Sequence, residues 1–521
     1  MKSKFPSSIV ILVVLIVLAT ILTWIIPQGK FVEKGSNLQA LYSNEINDKV
    51  FIKLDEERKL GLMDVLAAPV AGMFQAYDII FYTLVMGGLM GVVTKSGAFT
   101  SGVADLVRRL RGREIQMIPL LMIAFALAGT TFGFFEEAII FYPILYPILI
   151  SSGFDPVVCV AVVVLGTGVG CAASTVNPFA TGIASNLAGI PIGEGLPVRA
   201  LMLLVMLILA IVIVMIYARR VQQNPTKSVL YGATVRSFLD NLPRRRETRF
   251  TGRHKAILIM LLIAIIFLIM GVIPWKEKYD INTFTNAYNT LADIKIFNVG
   301  ILGLEPTTAN FYQDHYQMYP THSAPFGYWD LGQLSVLFFV IAMISGLIAG
   351  SDLDHVIENF VEGAKDMLSI SLLIAFARGV SVIFQTGNIN ATIINWAEGL
   401  IGGMPPAVYI IMIFVIYFLF SFFVPSSTGL ASFTIPIFAP ITANVFVHGN
   451  STILLGLSLL VTAFQTASGL VNMIAPTSVL LSGSLKMANI PYGKWMKFVW
   501  QAMLGFVVVT LFFLVGTIVI G

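Results

Sequence analysis

The chain has 521 residues, of which 57% are hydrophobic and 12% charged, and its formal net charge is +4. A water-soluble domain of that composition lacks the polar side chains to cover itself, so a soluble globular protein is excluded and the chain reads as an all-α polytopic membrane protein. Two cysteines, Cys159 and Cys171, share one apolar run, which excludes a disulfide framework or a thiolate metal cluster and leaves them as small packing residues.

In chain order, apolar runs able to cross roughly 30 Å of hydrocarbon as helices fall at 8–27, 115–131, 155–173, 198–218, 254–275, 331–350, 367–385, 404–424, 451–469 and 498–520. The first follows Lys2 and Lys4 but is long and has no small-x-small cleavage site, so residues 1–61 are expected to form an uncleaved membrane helix and an external loop. Asp78 and Lys95 stand at opposite ends of their run and read as boundary residues.

The segment 220–253 is a basic linker. From Arg219 to Lys255 the chain carries Arg219, Arg220, Lys227, Arg236, Arg244, Arg245, Arg246, Arg249, Arg253 and Lys255 against Asp240 and Glu247. Basic loops stay in the cytoplasm, and a nucleic-acid patch this short, tethered at both ends to membrane helices, is the weaker alternative. The mixed loops 28–61 and 276–328 are expected outside. On that basis 62–219 runs from outside to inside, 254–350 contributes two helices around the loop 276–328, and 351–521 runs from inside to outside.

The two oppositely directed segments echo each other. "PILYPI" (143–148) matches "PIFAPI" (436–441), 92–112 matches 382–402, and "NPFATGIASNLAGIPIG" matches "APTSVLLSGSLKMANIPYG", with Pro178 opposite Pro476. Inverted repeats whose helices are broken in corresponding places are the sequence signature of a secondary transporter, because half-helices meeting near the midplane leave backbone groups free for a ligand. "AGTTFGFFEEAIIFYP" (128–143) and "FVPSSTGLASFTIP" (423–436) read as re-entrant hairpins, each followed by a break, "ASTVNP" and "TASGLVNMIAPTS".

The polar residues of these four elements are the candidate substrate site. Ser174, Thr175, Asn177, Thr181, Ser426, Ser427, Thr428, Ser468, Asn472, Thr477 and Ser478 supply side-chain oxygens. Helix ends at such tips also present N–H groups to anions and carbonyls to cations. A carboxylate-free set of oxygens such as Ser174, Asn177, Ser468 and Asn472 suits Na⁺, a hard monovalent cation. The competing explanation is that small and hydroxylated residues let helices pack closely. Glu136 and Glu137 break the symmetry of the hairpins; one of them is expected to bind a cationic substrate group or carry a coupling proton. Arg378 is a candidate for a substrate carboxylate or for an ion pair with a glutamate. The sequence has no phosphate-binding loop, His-Glu-x-x-His or nucleophile elbow, so neither an ATP motor nor an intramembrane protease is supported, and a channel would not need paired broken helices.

Together "FPSSIVILVVLIVLATILTWIIPQGKF", "GTTFGFFEEAIIFYP", "STVNPFATGIAS", "VPSSTGLASFTIPIFAP" and "SGLVNMIAPTS" resemble the YfcC branch of the DcuC family of anaerobic dicarboxylate carriers, across almost the whole chain. The resemblance implies a homodimeric carrier of the ion transporter superfamily in the bacterial inner membrane, with scaffold and transport domains and an elevator motion. Carried over by position, it sets hairpins at 129–152 and 423–445 and breaks at 174–181 and 468–478. It implies a small organic ion as substrate, Na⁺, H⁺ or exchange as the driving partner, membrane lipid as the surroundings and no other cofactor. Basic amino acids are favoured over C4-dicarboxylates, since desolvating a dianion beside Glu136 and Glu137 costs several kcal/mol.

Overall fold

The computed structural model describes residues 8–33, 49–54, 58–110, 112–231, 250–273, 275–292, 295–296, 299–300, 324–389, 391–393, 395–396, 404–423, 426–448 and 452–520. Most of the basic linker, including Arg236, Arg244, Arg245, Arg246 and Arg249, lies outside the described residues, as do 34–48 and 301–323 of the two loops expected outside.

Helix α1 (Ser8–Ile25) leads into an antiparallel hairpin, β1 (Gly29–Glu33) and β2 (Lys49–Lys53), in which Gly29 faces Lys53. There follow α2 (Leu62–Gln75), α3 (Tyr77–Lys95), α4 (Ala98–Arg109) and α5 (Glu114–Phe132). A 3₁₀ turn over Glu136–Phe141 runs into α6 (Tyr142–Ser151); α7 (Pro156–Ala172) is followed by a π turn over Pro178–Gly182, α8 (Ile183–Ala188) and the long α9 (Leu196–Gln223). Past the linker come α10 (Gly252–Val272), the short α11 (Trp275–Tyr279) and α12 (Thr283–Ala292), and α13 (Leu331–Ala349). The last part holds α14 (Leu353–Asp366), α15 (Leu368–Thr386), α16 (Pro406–Phe423), α17 (Ser427–His448), α18 (Ile453–Asn472), α19 (Val479–Met487) and α20 (Tyr492–Ile520).

All ten expected apolar runs are helical. Among the described residues eight helices are long and apolar enough to cross a membrane, and one of them, Tyr77–Lys95, was absent from the expected crossings. Asp78 and Lys95 therefore stand at the ends of a membrane helix. Three expected crossings, 8–27, 155–173 and 404–424, form shorter apolar helices. The second hairpin also differs from expectation: α17 runs unbroken through Pro436 and Pro440, so those prolines do not interrupt it.

The helices pack in two groups. In one, α2 lies along α15, α3 along α14 and α13, α1 along α15, and α10 joins α4 to α13. The close crossings rest on missing side chains: a Cβ on Gly72 would stand 2.2 Å from the Ala375 carbonyl oxygen, and one on Gly363 would stand 2.3 Å from that of Gly87. In the other group, α7 and α18 lie at the centre, with α5, α9 and α6 around α7 and with α16, α17 and α20 around α18. The groups meet mainly where α15 packs on α17 and α3 touches the π turn.

The central place of α7 follows from "VLGTGVG". Residues two apart point to different sides of a helix and residues four apart share one. Gly166 and Gly170 thus both face α5, against Met122 and Ala126, while Gly168 faces α18, against Met473. Every α7 residue except Pro156 and Cys171 is buried. By contrast α9 and α20 expose Leu204, Ile208, Leu504, Val508 and Phe512 on their outer sides, as lipid-facing helices do.

Candidate functional site

Helices α7 and α18 cross near their C-terminal ends, where a Cβ on Gly469 would stand 2.5 Å from Ala172 Cα. Beyond this crossing both chains leave helical geometry, at 173–177 and 473–478, so the two breaks lie beside each other. The second is shorter than the expected 468–478, because the helix continues through Ser468 and Asn472 before ending.

The first break is densely bonded. Ser174 Oγ and Thr181 Oγ1 are 2.5 Å apart, Thr181 Oγ1 donates to Gln465 Oε1 (2.7 Å), and Gln465 Nε2 donates to the Ser174 carbonyl (2.8 Å). All three residues are buried. Thr130, at the end of α5, accepts from the Thr175 N–H at 2.9 Å and lies 3.1 Å from the Thr175 hydroxyl. Asn177 caps the segment begun by Pro178: its Oδ1 accepts from the N–H groups of Phe179 and Ala180 at 2.8 and 3.3 Å, and its Nδ2 donates to the Gly129 carbonyl at 3.4 Å. Pro178 contributes no N–H, so this helix start has its donors satisfied by its own cap. Gly133 ends α5 at φ 68°, and a side chain there would stand 2.6 Å from Asn177 Oδ1, so the left-handed turn and the cap both require glycine.

The second hairpin joins this cluster. Thr428 Oγ1 donates to the Phe179 carbonyl at 3.1 Å, Ser427 Oγ lies 2.7 Å from Ser468 Oγ, and Ser426 Oγ accepts from the Gly429 N–H at 3.1 Å. In the second break, Ser478 caps α19 by accepting from the Leu481 N–H at 3.4 Å. Tyr492 and Trp495 donate to the freed carbonyls of Ile474 (2.6 Å) and Met473 (3.0 Å). Asn472 is half-buried and Thr477 exposed.

Glu136 and Glu137 occupy the 3₁₀ turn after Gly133 and are exposed; Glu137 lies beside Cys171, and neither carboxylate has an ion-pair partner among the described residues. Arg378 is elsewhere. It sits in α15, where Asp78 at the N-terminal end of α3 is the nearby countercharge and its buried Nε has no hydrogen-bond partner among the described residues, so the expected pairing with a glutamate of the hairpin is not made. Asp78 also accepts from Asn186 Nδ2 of α8 at 2.9 Å, which ties the two helix groups together. Among the described residues no three His, Cys, Asp or Glu side chains gather to hold a metal ion. A groove of about 290 Å³ between α16 and α20, lined by Phe418, Ile474, Met496, Trp500, Met503, Leu504 and Val507, is almost wholly apolar and lacks the chemistry of the breaks.

Sequence reading missed Gln465. The available signal was a lone amide in the middle of the apolar run "LLVTAFQTASG", where an unpaired polar group is costly.

A family model described as "C4-dicarboxylate anaerobic carrier", DcuC, matches residues 5–519. The chain belongs to the DcuC family. Its relatives include an uncharacterized protein of Haemophilus influenzae, 28% identical over 95% of this chain and 93% of that protein. Another is the Escherichia coli protein named "Putative basic amino acid antiporter YfcC", 26% identical over 99% of this chain and 96% of its own. Among solved structures, the fold of this DcuC member is similar to the YdaH transporter of Alcanivorax borkumensis, with a TM-score of 0.66 at 16% identity and 99% of both chains covered. It is also similar to MtrF of Neisseria gonorrhoeae, described with a class of antimetabolite efflux pumps, with a TM-score of 0.64 at 15% identity over 98% of this chain and 95% of that one. The DcuC chain is thus a multi-pass secondary transporter of the bacterial inner membrane for a small molecule, and not an enzyme.

Proposed function

We propose that this DcuC carrier exchanges small organic ions bearing a cationic group, with basic amino acids as the favoured substrates. The observation that carries the reading is the polarity of the site. The donors of the first break are turned inward or capped by Asn177, while two carboxylates without an ion-pair partner among the described residues, Glu136 and Glu137, stand exposed next to it. Such surroundings stabilise an ammonium or guanidinium group and penalise a dianion. The name of the Escherichia coli relative agrees with this choice. The family description favours the second reading, C4-dicarboxylates.

In the same proposal the chain is built from two inverted repeats. The contacts support it: α2 on α15 has its counterpart in α14 on α3, α1 on α15 in α13 on α3, and α5 on α7 in α16 on α18. These pairs extend each repeat by one helix, to α1 and α13, beyond the boundaries 62–219 and 351–521. The second helix group, with the hairpin at 129–152, the unbroken helix α17 in place of a second hairpin, and the breaks at 174–181 and 473–478, is the transport domain; the first is the scaffold against which it slides as an elevator in a homodimer. Transport draws on Na⁺, H⁺ or counter-substrate, with Ser174, Asn177, Ser468 and Asn472 as the oxygens for a sodium ion.

Thermal unfolding of purified wild type, Glu136→Gln and Glu137→Gln, with arginine, ornithine, lysine, succinate or fumarate and with or without Na⁺, tests the substrate. A true ligand at about 100 times its Kd stabilises by about 2.7 kcal/mol. Arginine is expected to stabilise wild type and to lose most of that effect in one glutamine variant, since a hydrogen bond to a charged group is worth about 1.5–3 kcal/mol. Stabilisation by dicarboxylates and by no amino acid overturns the choice of substrate.

A further inference from the structure

We infer that Gln465 is a positioning residue that sets the hydrogen-bond polarity of the first helix break and thereby selects a cationic over an anionic group there; the inference rests on the carrier reading given above. The direction of the hydrogen bonds around Gln465 is determined by chemistry. The Ser174 carbonyl can only accept, so the side-chain atom facing it at 2.8 Å must be the amide nitrogen. The other amide atom is then the oxygen, which can only accept, so Thr181 spends its hydrogen on Gln465 Oε1. With that hydrogen committed, Thr181 Oγ1 receives the hydrogen of Ser174 across 2.5 Å. The ring closes from Ser174 through Thr181 and Gln465 back to Ser174, and the Ser174 hydroxyl is left with lone pairs alone.

Among the described residues the other half of the chain has no equivalent ring. Aligning Pro178 with Pro476 sets Gln465 opposite Thr167, whose hydroxyl donates within its own helix to the Val163 carbonyl at 2.7 Å. The freed carbonyls of the second break are held instead by Tyr492 and Trp495. Gln465 thus gives only the first break its acceptor character, on the side where Thr130, Thr175 and Asn177 also turn their donors toward carbonyls.

A glutamate in this place separates positioning from bulk. Its protonated form keeps one donor and one acceptor and can close the ring as the amide does; its ionised form has two acceptors, one of which meets the Ser174 carbonyl. Wild type, Gln465→Glu and Gln465→Leu are reconstituted in vesicles, and counterflow of arginine, whose guanidinium keeps its charge throughout, is followed between about pH 5 and about pH 8.5, a range that spans carboxyl ionisation in water and in buried sites. Gln465→Leu is expected to raise KM at least about tenfold at every pH, with Vmax changed less, as loss of a positioned contact of about 1.4 kcal/mol requires. Gln465→Glu is expected to match wild type at the acid end and to lose about tenfold in KM toward the alkaline end, a profile wild type does not show. Unchanged KM in Gln465→Leu, or the wild-type pH profile in Gln465→Glu, overturns the inference. If wild type exchanges no arginine, the substrate reading has failed and the ring is tested by melting temperatures of Thr181→Val, Gln465→Leu and the double variant. Shifts smaller in the double variant than the sum of the singles support the ring, and additive shifts refute it.

Discussion

Replacing Gly469 by alanine tests whether the crossing of α7 and α18 holds the site together. The new Cβ would stand 2.5 Å from Ala172 Cα and 2.7 Å from both Ala172 N and Ala172 Cβ. Carbon atoms in comfortable contact are about 3.5–4.0 Å apart, so the helices must separate by about 1 Å. Overpacking of this kind costs about 1–3 kcal/mol. Gln465 lies one turn before Gly469, so the same movement stretches its bonds of 2.7 and 2.8 Å beyond hydrogen-bonding distance and removes about 1–3 kcal/mol more for the two together. The expected loss is about 2–6 kcal/mol. The matched control is Gly168→Ala, on the facing helix, where the new Cβ meets only Met473 Cγ and Sδ at 2.4 and 2.6 Å. A methionine side chain can swing away, so that change costs less than about 1 kcal/mol. Tryptophan-fluorescence melting of the purified proteins, with and without arginine, reads both effects. Equal shifts for the two variants, or a neutral Gly469→Ala, would refute the claim that backbone contact at this crossing supports the breaks.

Three further outcomes are expected. Asn177→Ala removes the cap on Phe179 and Ala180, lowers stability by about 0.5–2 kcal/mol, and weakens binding of arginine relative to succinate in the thermal-shift assay, because it exposes donors at the first break. Asp78→Asn keeps a side chain able to bond Asn186 but deprives Arg378 of its countercharge, so it destabilises by about 1–3 kcal/mol; adding Arg378→Met recovers part of that loss in the same melting assay. Single cysteines at Gln222 and Thr283, both exposed, label from opposite sides of the membrane in intact cells, Gln222 from the cytoplasm; labelling from one side would refute the inverted topology.

The membrane helices were readable because lipid imposes a length and a composition that few other structures share. Tyr77–Lys95 escaped because Asp78 and Lys95 stand at its ends and its interior carries "GGLMG", where glycines serve close packing against α14 and dilute hydropathy. The first break was legible from Asn177-Pro178, since proline lacks the N–H a continuing helix needs and asparagine is a preferred cap. The same logic erred at Pro436 and Pro440, which α17 accommodates without a break. It erred also at Ser468, whose hydroxyl bonds across to Ser427 without ending the helix. Gln465 and the Asp78–Asn186 bond depend on residues 284 and 108 positions apart in the chain. No local periodicity reports such contacts.

The ring at the first break has a consequence for biosynthesis. Ser174 and Thr181 leave the ribosome long before Gln465, which lies 284 residues after Thr181. At about 5–20 residues per second, that interval lasts roughly 14–57 s. Throughout it α7, destined to be enclosed by protein on every side, has its early neighbours α5, α6 and α9 for company but not α18, and the Ser174 carbonyl waits for its amide donor. The first half of the carrier is therefore inserted with its centre unfinished, and α18 arrives, with Met473 at its end to fill the space beside Gly168, as the piece that completes the bonding of a loop made roughly 14–57 s earlier.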